Sequence, residues 1–178
     1  MNNQLSQCPT PLVGFCAYSG TGKTTLLTQL IPVLGNHGVR LAVIKHAHHQ
    51  FDVDQKEKDS YKLRHAGARQ MLISSSRRWA LMTELAEEQP ERTLAELTAQ
   101  IDHENNDLIL VEGFKKEAFS KIELHRPSLG HPVMCTEDEN IIAFASDEPC
   151  AIPDNIISLN INAPQEIATF ILHHFRLG

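Results

Sequence analysis

The sequence has few cysteines and none of the spacings that mark a cysteine-based site. Four cysteines occur among 178 residues, and no two of them form a Cys-x-x-Cys pair. This excludes the usual zinc-finger arrangement, in which closely spaced thiolates supply the ligands. Cys16 and Cys135 lie in apolar segments, so we expect both to be buried core residues.

Long apolar runs and an excess of positive charge are also missing. No segment approaches the roughly 18 consecutive apolar residues of a membrane-spanning helix, and Met1 to Pro11 lacks the basic and apolar regions of a signal peptide. The net charge is -6, with acids and bases interleaved, which does not favour a nucleic-acid partner. We therefore expect a cytoplasmic protein that binds neither membranes nor nucleic acid.

Short apolar segments alternate with amphipathic ones along most of the chain. Because 42% of the residues are hydrophobic, one continuous core is possible, and we expect a flexible N-terminus over residues 1–10 and a single domain over residues 11–178. The alternation predicts an α/β fold with a mostly parallel sheet flanked by helices. Trp79 to Met82 follows a polar turn, which predicts a return strand and an antiparallel hairpin at the edge of the sheet.

The predicted elements can be given by their residues. The strands are Leu12–Ala17, Leu41–Lys45, Arg69–Ser74, Leu108–Glu112, Ile122–His125, Val133–Cys135, Ile141–Ala145 and Ile156–Leu159. The helices are Lys23–Asn36, Asp59–Ala66, Thr93–Asp102 and Gln165–Phe175.

The segment from Ala17 to Thr25 has the composition of a phosphate-binding loop. An apolar strand precedes it and an amphipathic helix follows it, which is the context that this motif requires. Two glycines allow successive backbone N–H groups to turn toward one cavity at the positive end of the helix. Lys23 adds a charge for the β- and γ-phosphates, and the Thr24 hydroxyl is placed to bind a bridging Mg²⁺. The predicted nucleotide-binding residues are Ser19, Gly20, Thr21, Gly22, Lys23, Thr24 and Thr25.

Two acidic residues bracket the apolar strand Leu108–Glu112. A strand would hold Asp107 and Glu112 roughly 16 Å apart and on opposite faces, so only one of them can reach a ligand. Ligands of open α/β sheets bind beyond the carboxyl ends of the strands, which selects Glu112 as the group that holds Mg²⁺ through a water or orients the attacking water. We therefore predict Glu112 as a catalytic residue and, with Thr24, as a metal-site residue.

The segment from Lys45 to Asp54 follows the second predicted strand and is rich in histidine and aspartate. The same rule places it over the phosphates, where a switch loop or an acceptor-binding loop lies. Asp52 is predicted to be catalytic, holding Mg²⁺ or a water near the γ-phosphate. His46, His48 and His49 leave three interpretations open: polar loop residues, a surface for an anionic partner, or a transition-metal site without a nearby thiolate.

A residue that recognises the nucleotide base is expected after one of the last strands of the chain. In P-loop GTPases the motif [Asn/Thr]-Lys-x-Asp supplies a carboxylate that accepts from guanine. Here the predicted strand Val133–Cys135 is followed by Thr136-Glu137-Asp138-Glu139, which matches the threonine and the acid but lacks the lysine. We predict that Glu139 contacts the base, with Asp138 as the alternative residue and a plain acidic turn as the alternative interpretation.

Six segments along the chain form a recognisable combination. They are Ala17–Thr25, Val43–Asp54, Lys58-Asp59-Ser60, Ala66-Gly67-Ala68, Asp107–Lys115 and Ala143–Asp147. Together they resemble the MobB family of molybdopterin-guanine dinucleotide biosynthesis adapter proteins. The resemblance extends over roughly residues 10 to 175, and the phosphate loop alone would not separate this family from kinases.

The resemblance implies a homodimer that binds GTP with Mg²⁺ and hydrolyses it weakly, in the same broad group as the GTPases that insert metals into urease and hydrogenase. It also implies a role in molybdenum cofactor biosynthesis beside the guanylyltransferase MobA, with molybdopterin and a molybdenum insertion protein as further partners. Two other functions stay open: a small-molecule kinase in which the segment from Lys45 to Asp54 presents the acceptor hydroxyl, and a metallochaperone GTPase that uses the histidines. A kinase lid needs several arginines, whereas only Arg77 and Arg78 are adjacent here.

Overall fold

The computed structural model describes residues 4–47, 51–85 and 90–178, and the chain divides into two compact units. The first comprises residues 1–46 and 93–178, and the second comprises residues 47–92. Within the expected flexible N-terminus, Gln4–Gln7 forms a 3-10 helix and the Leu5 side chain is buried. The expectation of a single domain over residues 11–178 stays a prediction.

The described residues form eight strands and four α-helices. The strands are β1 (Leu12–Ala17), β2 (Leu41–Lys45), β3 (Gln70–Ser74), β4 (Trp79–Thr83), β5 (Leu108–Glu112), β6 (Lys121–His125), β7 (Ile141–Ser146) and β8 (Ile157–Asn160). The helices are α1 (Lys23–Asn36), α2 (Asp59–His65), α3 (Leu94–Thr98) and α4 (Pro164–Phe175).

The first unit is built on a six-stranded sheet with the strand order β2-β5-β1-β6-β7-β8. Every neighbouring pair in this sheet is parallel, as the alternation of strands and helices predicts. All six residues of β1 are buried, because helices and loops cover both faces of the sheet. The phosphate-loop segment therefore follows the most enclosed kind of strand.

The two faces of β1 contact different cores. Val13 and Phe15 pack with the buried leucines of α1 and with α4. Leu12 packs with Leu94 of α3 on the other face, and Cys16 packs there with Cys135. The expected burial of both cysteines is confirmed. Burial, reinforced by the nearby Glu123 carboxylate, raises the pKa of the Cys16 thiol to about 12, so it is not a ready nucleophile.

Gly14 marks a point of close contact on the second face. A Cβ at this position would lie 2.7 Å from Cε2 of Phe119 and 3.1 Å from Cγ of Lys121. The Phe119 ring thus lies directly on the backbone of β1. Any larger residue would displace the Phe119 ring from this position.

The second unit contains α2 and an antiparallel hairpin of β3 and β4. The return strand is confirmed, but the hairpin forms its own two-stranded sheet and is not an edge of the six-stranded sheet. No described apolar residue of this unit is buried. Arg64 of α2 binds carboxylates of Asp52, Asp54 and Glu84. The hydrogen bond from Arg64 outweighs burial and lowers the pKa of Asp54.

One predicted strand does not form. Residues Val133–Cys135 make no ladder, because the backbone N–H groups of Met134 and Cys135 donate to the Glu123 carboxylate, at 2.8 to 3.0 Å. Glu123 lies within β6 and is fully buried. A side chain therefore satisfies the backbone groups that a neighbouring strand would otherwise bind.

Candidate functional site

The loop between β1 and α1 is a tight turn built on two left-handed glycines. Gly20 has φ of 82° and Gly22 has φ of 95°, values that residues with a Cβ rarely adopt. The hydroxyl of the buried Thr21 donates to the Tyr18 carbonyl at 2.8 Å. The loop is thus closed from within by its own threonine.

The first turn of α1 begins without a side-chain cap. Gly22 is its N-cap residue and has no side chain that could accept from the free N–H groups of the first turn. Thr24 and Thr25 in this turn are exposed. Uncapped N–H groups at the positive end of a helix bind anions well.

Glu112 lies at the carboxyl end of β5, between two lysines. Its carboxylate is 3.7 Å from Nζ of Lys23 and 3.2 Å from Nζ of Lys45, and its side chain is 16% exposed. The parallel register pairs Glu112 with Lys45, the last residue of β2, and with Phe15, two residues before the end of β1, so the ends of β2 and β5 meet beside β1. Two ammonium groups and one carboxylate leave a net charge of about +1 beside the loop, which favours a polyphosphate.

Thr24 and Glu112 suit Mg²⁺ by their chemistry. Both present oxygen donors, and Mg²⁺ binds proteins through one or two such groups while keeping several waters. No cluster of three or more histidine, cysteine or acidic side chains that could hold a metal occurs within residues 4–47, 51–85 and 90–178. His48 and His49 lie outside the described residues. His46 lies in the first unit, with its ring 4.9 Å from that of Phe114.

Asp107 and Glu112 lie at opposite ends of β5, as expected. Asp107 accepts two hydrogen bonds from the Arg40 guanidinium, at 2.9 and 2.6 Å, and one from the Arg40 backbone. These hydrogen bonds lower the pKa of Asp107 to about 2. Asp107 therefore anchors the start of the strand, far from the phosphate loop.

The structure does not bring Glu139 to the phosphate loop. Its neighbour Asp138 accepts a 2.6 Å hydrogen bond from Lys121, the first residue of β6, and β7 begins just after it. Because the strands are parallel, this turn lies at the amino ends of the strands, whereas the phosphate loop follows a carboxyl end. Burial raises the pKa of Asp138, but the hydrogen bonds from Lys121 and Asn140 outweigh it and the net shift is downward.

Asp52 belongs to the second unit, where its carboxylate accepts from Arg64. Its predicted catalytic role stays a prediction. The predicted residues that the structure does gather at one site are those of the loop, the start of α1 and Glu112.

Two cationic side chains at the loop are not among the predicted site residues. Nζ of Lys115 donates to the Ala17 carbonyl at 2.7 Å, and Nε of Arg126 donates to the Thr21 carbonyl at 3.0 Å. Lys115 stands in the Asp107–Lys115 motif, which could have drawn attention to it. No recognisable motif near Arg126 in the sequence points to this residue.

The turn after β5 delivers Lys115 to the loop. Gly113 has φ of 106° and Phe114 has φ of 51°, so the chain reverses sharply after Glu112. A Cβ on Gly113 would lie 2.5 Å from Cβ of His46. Only glycine allows this approach.

The parallel sheet, the glycine loop after its central strand and the lysine at the start of α1 define a protein with a P-loop NTPase-like fold, a class that binds nucleotides at this loop. Among the helices of the described residues, none is long and apolar enough to cross a membrane.

Comparison with known proteins gives the family. A protein-family model described as "MobB: Molybdopterin guanine dinucleotide synthesis protein B" matches residues 12–147. The chain is 48% identical to the molybdopterin-guanine dinucleotide biosynthesis adapter protein of Escherichia coli (strain K12), over 91% of each chain. It is 43% identical to the protein of the same name from Haemophilus influenzae, over 98% of this chain and 94% of the relative. The chain therefore belongs to the MobB family, and the resemblance found in the sequence is confirmed.

Solved structures agree on the fold. A crystal structure of molybdopterin-guanine biosynthesis protein B is 26% identical, with a TM-score of 0.69 over 92% of this chain and 99% of that chain. The crystal structure of Bacillus subtilis MobB is 20% identical, with a TM-score of 0.70 over 92% of this chain and 96% of that chain.

Proposed function

We propose that this chain is an adapter protein of molybdopterin guanine dinucleotide biosynthesis, and that it binds GTP with Mg²⁺ at the loop between β1 and α1. The names of the Escherichia coli and Haemophilus influenzae relatives support the pathway. The main observation in support of nucleotide binding is that the uncapped start of α1 lies beside Lys23, Lys45 and Glu112.

Different groups of the chain bind different parts of the triphosphate. The N–H groups of the loop and of the first turn of α1 donate to the β-phosphate, because the glycines turn them to one side. Lys23 places its ammonium group on the β- and γ-phosphates. Lys45 is 60% exposed at its side chain, so it can reach a ligand that covers the strand ends.

Thr24 and Glu112 are the residues that would hold Mg²⁺, Thr24 through its hydroxyl and Glu112 through a water. When bound, Mg²⁺ supplies positive charge to the phosphate oxygens. Once a triphosphate draws Lys23 away, Glu112 keeps Lys45 as a partner and can orient a water. Asp52 is the second candidate for that role.

We expect hydrolysis to be weak. Arg126 is bound to the phosphate loop, but its nitrogens are committed to the Thr21 carbonyl, Asp147 and Asn162. It therefore does not act as an arginine finger, and the lack of such a group costs about 10³ to 10⁵ in rate. Turnover then depends on a partner or is not the purpose of binding.

The hairpin of the second unit supports a homodimer. One face of it carries Leu72, Leu81 and Trp79, which are 59%, 49% and 70% exposed. A two-stranded hairpin with uncovered apolar side chains is marginal in water. A second copy brings an identical apolar face, which a two-fold axis can pair with the first. We further propose the guanylyltransferase MobA, a molybdenum insertion protein and molybdopterin as partners in the pathway.

Calorimetric titration with GTP, ATP and GDP, each with and without Mg²⁺, tests the proposal. We expect GTP to bind more tightly than ATP and Mg²⁺ to strengthen triphosphate binding. Failure of every nucleotide to bind at millimolar concentration would overturn the nucleotide part of the proposal. Equal binding of GTP and ATP would remove the guanine preference alone.

A further inference from the structure

Three backbone carbonyls of the phosphate loop each accept a hydrogen bond from a side chain. The Ala17 carbonyl accepts from Nζ of Lys115 at 2.7 Å. The Tyr18 carbonyl accepts from the hydroxyl of Thr21 at 2.8 Å. The Thr21 carbonyl accepts from Nε of Arg126 at 3.0 Å. Two of the three donors are cations from distant parts of the chain.

Because of the geometry of the peptide unit, these contacts also orient the N–H groups of the same peptides. A trans peptide is planar, and its C=O and N–H point in opposite directions. A donor that fixes the Ala17 carbonyl therefore fixes the N–H of Tyr18, and one that fixes the Thr21 carbonyl fixes the N–H of Gly22. Glycine at position 22 allows many backbone orientations, so the peptide before it needs an external constraint.

Arg126 is itself held in place. Its terminal nitrogens bind Asp147 after β7, in an ion pair, and Asn162 after β8, at 3.0 Å from Oδ1. The planar guanidinium therefore presents Nε to the loop in one orientation. Its charge is already matched by Asp147, so its main effect on the loop is positional.

Lys115 is held differently. The reversal at Gly113 and Phe114 carries it back to the end of β1, and its Nζ lies 5.4 Å from the centroid of the Tyr18 ring. The ring favours the ammonium group at this position. Lys115 thus contacts the loop at its first peptide, and Arg126 contacts the peptide between Thr21 and Gly22, near the loop's other end.

We propose that Lys115 and Arg126 are positioning residues of the phosphate site, which hold the peptides of Ala17 and Thr21 so that the N–H groups of Tyr18 and Gly22 face the bound phosphates. The inference rests on the proposed binding of a nucleotide at this loop. It adds two side chains that act through the backbone and not by contact with the ligand.

Four variants with two matched controls test the proposal. Arg126→Ala and Arg126→Lys probe the Thr21 peptide, and Lys115→Ala and Lys115→Met probe the Ala17 peptide. Arg40→Ala is the control for Arg126, since Arg40 also pairs with an aspartate and donates to a carbonyl, that of Glu104, but lies just before the start of β2. Lys116→Ala is the control for Lys115, because Lys116 is its exposed neighbour.

Two readouts separate positioning from general stability and from charge. The first is affinity for GTP, ATP and inorganic tripolyphosphate by calorimetry. The second is the backbone amide resonances of Tyr18 and Gly22 in the ligand-free protein. We expect Arg126→Ala and Lys115→Ala to weaken all three ligands at least about tenfold, the size of a lost charged hydrogen bond. Arg126→Lys should lose nearly as much, because lysine keeps the charge but not the fixed guanidinium.

The resonances should change selectively: Gly22 in the Arg126 variants, Tyr18 in the Lys115 variants and neither in the controls. Wild-type affinity in Arg126→Lys, or loss of GTP binding alone, would overturn the inference for Arg126 in favour of charge or base contacts. Unchanged affinity in both alanine variants would overturn it entirely while GTP binding by the wild type stands. If Arg126→Ala does not fold, Arg126→Lys and the Lys115 variants decide.

Discussion

Glu112 and Lys23 face each other at the carboxyl end of the sheet, with Oε1 of Glu112 3.7 Å from Nζ of Lys23. The pair joins the end of β5 to the start of α1. Both side chains are mostly buried, with 21% of Lys23 and 16% of Glu112 exposed. A triphosphate would compete with Glu112 for the ammonium group, so the two residues have separable effects on binding and on Mg²⁺.

Replacing Lys23 with Ala should weaken triphosphate binding by about 2 kcal/mol or more, roughly 30-fold in Kd, because a charged hydrogen bond to phosphate is lost. The melting temperature should stay close to that of the wild type, since no core packing is removed. Calorimetric titration measures the first and differential scanning calorimetry the second. Lys116→Ala is the control, and a Lys23→Ala protein that binds as well as the wild type would remove Lys23 from the ligand site.

Replacing Glu112 with Gln should keep nucleotide affinity within about tenfold, roughly 1.4 kcal/mol, because a carboxylate that acts through water tunes the ion more than it holds the phosphate. The Mg²⁺ concentration needed for half-maximal binding should rise, and hydrolysis should fall. Asp107→Asn, at the far end of the same strand, should change neither. Glu112 has no metal role if its variant responds to Mg²⁺ like the wild type.

Replacing Gly113 with Ala should destabilise the protein by about 1 to 3 kcal/mol, because alanine is strained at a left-handed φ and its Cβ would press on His46. Gly35→Ala is the matched control: Gly35 is exposed near the end of α1 with open space around it. There we expect a change between zero and about 1 kcal/mol in favour of folding. Urea denaturation measures both, and equal effects of the two substitutions would contradict the strain at Gly113.

Asp107 should make the protein sensitive to acid. Its pKa is lowered from 3.8 to about 2 by the hydrogen bonds from Arg40, so in the unfolded state it binds a proton at higher pH than in the folded state. Its stabilising contribution is complete above about pH 4 and is lost as the pH falls toward about 2. Urea midpoints at pH 5 and pH 3 should differ less in Asp107→Asn than in the wild type. Asp59→Asn, at a 94% exposed side chain, is the control and should leave the difference unchanged.

Replacing Leu72 with Glu should convert a dimer to a monomer, because a charge at the centre of the apolar hairpin face opposes its burial. Gln70→Glu adds the same charge on the same face but at its polar end, opposite Thr83, and should leave the dimer intact. Sedimentation velocity distinguishes the two states. A monomeric wild type, or a dimer in Leu72→Glu, would exclude the hairpin as the dimer interface.

Local signals in the sequence predict the elements that form the site. Leu12–Ala17, Lys23–Asn36, Leu41–Lys45 and Leu108–Glu112 form with the predicted bounds, because apolar runs, glycine punctuation and helical periodicity agree there. The helix predicted over Thr93–Asp102 is shorter. It begins at Leu94 after a capping box between Thr93 and Glu96 and ends at Thr98, after which the backbone bonds of Gln100 and Ile101 are of the 3-10 type.

Features that depend on distant residues could not be predicted in this way. Val133–Cys135 has the composition of a strand, and only the buried Glu123 on another element shows why it does not pair. Glu139 matched part of a base-reading motif, but a motif does not indicate at which end of a sheet its turn lies. The contacts of Lys115 and Arg126 with the loop span 98 and 105 positions of the chain, beyond the reach of any local pattern.

The lack of a side chain at Gly14 affects both the packing against β1 and the phosphate loop that follows it. Because Gly14 has no side chain, the Phe119 ring rests on β1 itself, and Phe119 follows closely after Lys115, which donates to the Ala17 carbonyl. A larger residue at position 14 would displace the Phe119 ring, and the segment that holds this ring also holds Lys115, the anchor of the loop's first peptide. The absence of a side chain at position 14, in the middle of a buried strand, therefore helps to fix the loop that begins three residues further on.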